Sequence, residues 1–166
     1  QWRGYVILSA LHSLEQVGLT RFAENLKVRL LKKTELVDRQ YYAAKHAALL
    51  DDSLTLLRHY VRIGDQQGLS PMPLFEPQYY RKRAKGKLKQ INALLHYYYL
   101  GQYQRVAPGP WFDVAYYLRQ NADVRRVRIE PLKHYWRDGG REGRSPCAEF
   151  DGAYYLRHNP DVAAAG

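Results

Sequence analysis

The chain has 166 residues, 46% of them apolar, which suits one packed domain or a short repeat array and is too many for a disordered chain. Lys and Arg number 26 against 16 Asp and Glu, a net charge of +10 that favours anionic partners and says nothing of fold. The single cysteine, Cys147, excludes an intrachain disulfide, and no apolar run approaches the roughly 20 residues of a membrane span.

Residues 1–35 predict a helical hairpin. Tyr5, Leu8, Leu11 and Leu14 fall near helical spacing, and Gly18 ends that helix. Thr20 is placed to cap a second helix that carries Phe22, Leu26, Val28, Leu30 and Leu31. Only Arg3 precedes the apolar stretch from Tyr5, and Ser9, His12 and Ser13 interrupt it, so it reads as an amphipathic helix and not as a signal peptide. The hairpin is expected to cap a repeat array, because terminal elements of such arrays are atypical.

From residue 36 the sequence repeats. Tyr41-Tyr42 returns as Tyr79-Tyr80, Tyr116-Tyr117 and Tyr154-Tyr155, at intervals of 38, 37 and 38 residues. His59-Tyr60, His96-Tyr97 and His134-Tyr135 keep the same phase. Gly64, Gly101 and Gly139 follow them, and Pro71, Pro108 and Pro146 close each unit. Four markers in one phase are the mark of tandem structural repeats. The units are 36–73, 74–110, 111–148 and a partial one at 149–166. The first residue, Gln1, and a last residue in mid-pattern suggest an excerpt of a longer polypeptide.

Each unit reads as helix, turn, helix, and the fold class is all-α: stacked units of about 38 residues behind an N-terminal hairpin. Asp38, Asp113 and Asp151 are N-caps for the first helix, and Pro77 suits its first position in the second unit. Phe112 and Tyr117 are spaced as a hydrophobic staple. The first helix should end near Asn121 or Asn159, with Asn159-Pro160-Asp161 as a turn. The second helix begins at Pro131 and presents Leu132, Tyr135 and Trp136 on one apolar face, as Leu94, Tyr97 and Tyr98 do in the second unit. Gly139-Gly140 is the expected stop. The second unit departs most: Arg81 to Lys89 replaces the turn of the third unit, and Arg105 stands where the others have Gly68 and Gly143.

The pattern FDxxYYLxxNPDV…PLxHYxxxGxxEGRxP resembles a tandem helical repeat of bacterial surface-polysaccharide glycosyltransferases of the rhamnan-synthesis type, found also in some secreted bacterial repeat proteins. It is carried by Phe112-Asp113, Tyr116-Tyr117-Leu118, Asn121, Asp123-Val124, Pro131-Leu132, His134-Tyr135, Gly139, Glu142-Gly143-Arg144 and Pro146. It resumes at Phe150-Asp151, Tyr154-Tyr155-Leu156 and Asn159-Pro160-Asp161-Val162. The resemblance brings no catalytic residues with it. It implies a scaffold or docking module beside a catalytic domain concerned with cell-envelope polysaccharide, in the bacterial cytoplasm or at the inner membrane face. The expected partner is a protein or that adjoining domain.

Chemistry of other kinds finds little support. His59, His96 and His134 occur once per unit, so stacking would set them roughly 10 Å apart, too far to share a metal. They read as helix-face histidines bonded to a neighbouring loop. In each tyrosine pair one ring should face the core and the other the next unit, since adjacent helical residues point about 100° apart. Cys147 reads as incidental in a linker, no carboxylate pair is set as acid and base, and neither cofactor nor metal is expected. The fragment is therefore not an enzyme in its own right. Six cations in nine residues, Arg81, Lys82, Arg83, Lys85, Lys87 and Lys89, together with Arg125, Arg126 and Arg128, make a candidate anion-binding ridge. That ridge supports the alternative function, binding of an anionic polysaccharide or an anionic membrane surface. Nucleic acid is disfavoured, because no recognised nucleic-acid module is present. Tyr98, Tyr99 and Tyr103 break the repeat pattern and are candidate exposed aromatic contacts.

Overall fold

A computed structural model of the chain describes residues 2–49, 54–84 and 91–165. It is all-α, with two isolated bridges, Met72 to Phe75 and Cys147 to Phe150, as its extended pairing among the described residues. The chain separates into two compact units, residues 1–109 and 110–166.

In the first compact unit, helices α1 (Trp2–Gln16) and α2 (Thr20–Thr34) form the hairpin. Gly18, at φ +80°, makes the turn between them. Thr20 is not the cap expected of it: Leu19 holds that position and no side chain caps the helix. Leu8, Leu11, Ala23 and Leu31 are buried, and Lys27 pairs with Glu15 across the hairpin. The hairpin does more than cover the first repeat. Helix α2 packs on the second helices of both repeats in this unit, and α1 lies on the second repeat. Gly4 permits that approach, since a Cβ there would strike the Tyr99 carbonyl.

Helix α3 (Arg39–His46) opens the first repeat, capped by the Asp38 side chain on the Tyr41 N–H at 2.9 Å. The second helix is not uniform. It starts as α4 (Leu56–His59), widens into a π-type segment π1 (Tyr60–Gly64), and returns to an α turn, α5 (Asp65–Gln67). The second repeat follows the same plan with α6 (Pro77–Arg83), α7 (Ala93–His96) and π2 (Tyr97–Gly101).

The second compact unit holds α8 (Val114–Gln120), α9 (Ala122–Val127), α10 (Pro131–His134) and π3 (Tyr135–Gly139), then α11 (Gly152–His158) and α12 (Pro160–Ala165). The Asp113 and Asp151 side chains cap α8 and α11 at 2.9 Å, and the Phe112–Tyr117 staple is closed at 5.2 Å between ring centroids.

Two expectations are corrected by these elements. Asn159-Pro160-Asp161 is a junction between helices, not only a turn. Pro160 starts α12, as Ala122 starts α9, because an asparagine outside the helical region reaches back to the first helix. Asn121 Nδ2 donates to the Tyr117 carbonyl and Asn159 Nδ2 to that of Tyr155, each at 2.8 Å. Gly139-Gly140 is not the helix stop. The stop lies three residues on, at Gly143, with φ +71°. There the Arg144 N–H bonds the Gly139 carbonyl and the Gly143 N–H that of Gly140, a double closure that needs a left-handed residue. Gly68 does the same in the first repeat, and Arg105, at φ +57°, does it in the second without the freedom of glycine.

The widened segment also moves the expected apolar face. Leu132 is fully buried, but Trp136 turns outward at 40% exposure. Each full repeat finally closes on its own beginning. The N–H groups of Asp38, Glu76 and Asp113 donate to the carbonyls of Pro71, Pro108 and Pro146, each at 3.0 Å.

Candidate functional site

The repeated residues with chemical capacity meet in one arrangement. In each full repeat the second tyrosine of the pair is buried, and its hydroxyl lies against the Nδ1 of the repeat histidine: Tyr42 with His59 at 2.9 Å, Tyr80 with His96 at 2.6 Å, Tyr117 with His134 at 2.8 Å. The glycine five residues after each histidine makes room for that hydroxyl. A Cβ on Gly64, Gly101 or Gly139 would overlap the hydroxyl oxygen of Tyr42, Tyr80 or Tyr117. The tyrosine after each histidine packs edge-on to the same ring, with centroids 5.7, 5.8 and 5.7 Å apart. His-Tyr-x-x-x-Gly is thus one device: an imidazole and an aromatic edge grip a tyrosine, and the glycine seats its hydroxyl.

In the first repeat the proton positions follow from the partners. The Leu49 carbonyl, 2.7 Å from His59 Nε2, can only accept, so Nε2 donates to it. In the neutral ring Nδ1 then accepts from the Tyr42 hydroxyl. Burial, reinforced by the Asp65 carboxylate, pushes Tyr42 up to about 12. Burial raises Tyr80 and Tyr117 well above the ordinary phenol range. It lowers His96 to about 4, with the Arg81 charge adding to the effect. In the second repeat the imidazole so lowered is bonded to a phenol that stays protonated, a pairing that suits holding a core together.

A second polar node joins the two repeats of the first compact unit. Asp65 is buried at the end of the first repeat. Its Oδ1 accepts from the Ala93 N–H at 3.0 Å, at the start of α7, and its Oδ2 accepts from Arg81 Nη2. Arg81 also donates to the Ile91 carbonyl at 3.1 Å. Burial raises the Asp65 pKa against the pull of Arg81 and the Ala93 N–H. Arg81, read from sequence as part of an anion-binding ridge, is therefore committed to an internal carboxylate and is withdrawn from it. Nearby, Glu24 on α2 takes Arg58 at 2.6 Å and Arg62 at 2.7 Å. Burial works to raise Glu24, but the two guanidinium groups prevail and hold it below the usual carboxylate range.

The rest of the ridge divides. Lys82 and Arg83 are exposed on α6, and the Arg83 guanidinium lies 3.7 Å from the Tyr79 ring centre. Lys85, Lys87 and Lys89 lie outside the described residues. Arg125, Arg126 and Arg128 are exposed in the second compact unit. There Arg144 makes its own clasp with Asp123, Glu142 and the Asn121 side chain. The hydrogen bond from Arg144 draws Asp123 down to about 2.

The first tyrosine of each pair is partly or wholly exposed and carries a cation or an imidazole from its own helix. Lys45 lies over Tyr41 at 5.1 Å and Arg119 over Tyr116 at 5.9 Å, while His158 stacks on Tyr154 at 4.0 Å. Of the aromatic contacts expected from sequence, Tyr98 and Tyr99 are half-buried against each other at 5.1 Å and Tyr103 is 55% exposed. Three rings that the repeat pattern does not single out are more exposed: Trp2 at 81%, Trp111 at 61% and Phe22 at 59%. Trp111 sits beside Phe112, which already fills the core position, and that adjacency is the available signal.

Cys147 is buried in the closing bridge, and burial raises its thiol pKa, which disfavours the reactive thiolate. Among the described residues no three His, Cys, Asp or Glu side chains are placed to hold a metal ion, and no helix is long and apolar enough to cross a membrane. Comparison with protein families, curated proteins and solved structures returned no match.

Proposed function

We propose that this chain is a non-catalytic helical-repeat scaffold, a docking module of a bacterial cell-surface polysaccharide-synthesis protein. The observation that supports it is how the repeated residues are spent. Tyrosine hydroxyls and imidazoles, the groups with most chemical capacity, are turned on one another inside each full repeat. The surface is left with aromatic rings and cations, which suit recognition more than turnover. The polysaccharide context comes from the sequence resemblance alone.

The reading is tested in two steps. The purified chain, supplied with nucleotide sugars and acceptors, is expected to show no glycosyl transfer; turnover that a single substitution abolishes would overturn the proposal. In a polypeptide that joins the array to a transferase, Trp111→Ser with Tyr103→Ser should lower polysaccharide delivered to the surface and leave turnover on a soluble acceptor unchanged. An equal fall in both would place these residues in catalysis instead.

A further inference from the structure

Helix α9 and the turn that ends it carry Arg125-Arg126-Val127-Arg128-Ile129. All five side chains are exposed, Val127 at 59% and Ile129 at 45%. None of the three guanidinium groups has an ion pair or hydrogen bond among the described residues, whereas the nearby carboxylates are taken. Asp123 is held by Arg144, and Glu130 accepts from the Leu132 and Lys133 N–H groups at the start of α10. Arg128 ends α9 at φ +56°, a left-handed position where glycine or asparagine is favoured and a long side chain is not. Stability therefore does not account for arginine there, and packing does not account for Val127 or Ile129.

We infer that this tip is a peripheral contact with an anionic membrane surface. Three unpaired guanidinium groups match lipid phosphates in charge and in their forked donor geometry. Val127 and Ile129, interleaved with them, can enter the boundary between headgroups and acyl chains. The apolar pair is what selects a bilayer over a soluble polyanion, because a polyanion in water offers nothing for those side chains to enter. The inference does not depend on docking to a transferase: it concerns five residues in the second compact unit and a partner of different chemistry.

The test uses the full chain and vesicles of equal parts phosphatidylglycerol and phosphatidylcholine, against phosphatidylcholine alone, by co-sedimentation at two salt concentrations. Binding is expected only to the anionic vesicles and is expected to weaken with salt. Replacing Arg125, Arg126 and Arg128 together by Gln should lower the partition coefficient about 100-fold, near fivefold for each charge removed. Val127→Ser with Ile129→Ser should lower it about tenfold. Arg128→Gly should raise thermal stability while weakening vesicle binding, a pairing that a damaged fold cannot produce. Absence of binding to anionic vesicles overturns the inference, as does a triple Gln variant that binds like the parent chain. Equally tight binding to a soluble acidic polysaccharide that the serine variant retains would also overturn it, in favour of a glycan site.

Discussion

The two compact units share a core device and differ in the polar clasp beside it. In the first, Tyr80 and His96 are buried, and the neighbouring charge pair, Asp65 with Arg81, is largely buried as well and ties one repeat to the next. In the second, Tyr117 grips a half-exposed His134, and Arg144 gathers Asn121, Asp123 and Glu142 at the surface. The tyrosine grip recurs because it is internal to a repeat and constrained by its own geometry. The clasp varies because it answers only to local surroundings. The same motif should therefore carry different energetic weight in the two units.

The sharpest test of that difference is a methyl group. Gly101→Ala should push the Tyr80 hydroxyl off His96 in a closed core and cost about 4 kcal/mol, read by urea denaturation. Gly139→Ala, facing a more open site, should cost about 2 kcal/mol. Equal costs would erase the distinction. Next in size, Asp65→Ala leaves Arg81 and the Ala93 N–H without their partner and should cost about 3 kcal/mol. Asp123→Asn, in the exposed clasp, should leave the denaturation midpoint unchanged.

A pH profile probes the same contrast from another side. The folded pKa of His96 is depressed to about 4 from an ordinary 6.5, so its contribution is present above 6.5 and is lost as the pH falls toward 4. About 2 kcal/mol of stability should go over that window, after allowance for partial solvent screening, and a His96→Phe variant should lack that part of the loss. A smaller effect concerns the one full repeat whose end lacks glycine. Arg105→Gly should raise stability by about 1 kcal/mol, and a fall in melting temperature would show that contacts of the Arg105 side chain outweigh its left-handed strain.

Much of the fold was legible in the sequence, for local reasons. Asp38, Asp113 and Asp151 announce helix starts because a cap needs only a carboxylate next to free N–H groups. The widened segments were not legible, because a π-type turn keeps the composition of an α-helix and differs only in which carbonyl each N–H meets. That is why Gly139 looked like a stop and Trp136 like a core residue. The tyrosine–histidine contact was visible only as a fixed interval between the two residues, and an interval does not reveal which atoms touch. Arg81 misled for the opposite reason: its sequence neighbours are cations, while its partner, Asp65, lies 16 residues back.

The closing bond of each full repeat bears on how such chains change over generations. The bond from Asp38, Glu76 or Asp113 runs to the closing proline of the same repeat. Duplicating or deleting a whole repeat therefore leaves no such donor stranded at the junction, and the seam to be mended is the polar node between repeats, Asp65 with Arg81 and the Ala93 N–H. A cut between the donor and the closing proline, by contrast, separates the two partners of the bond.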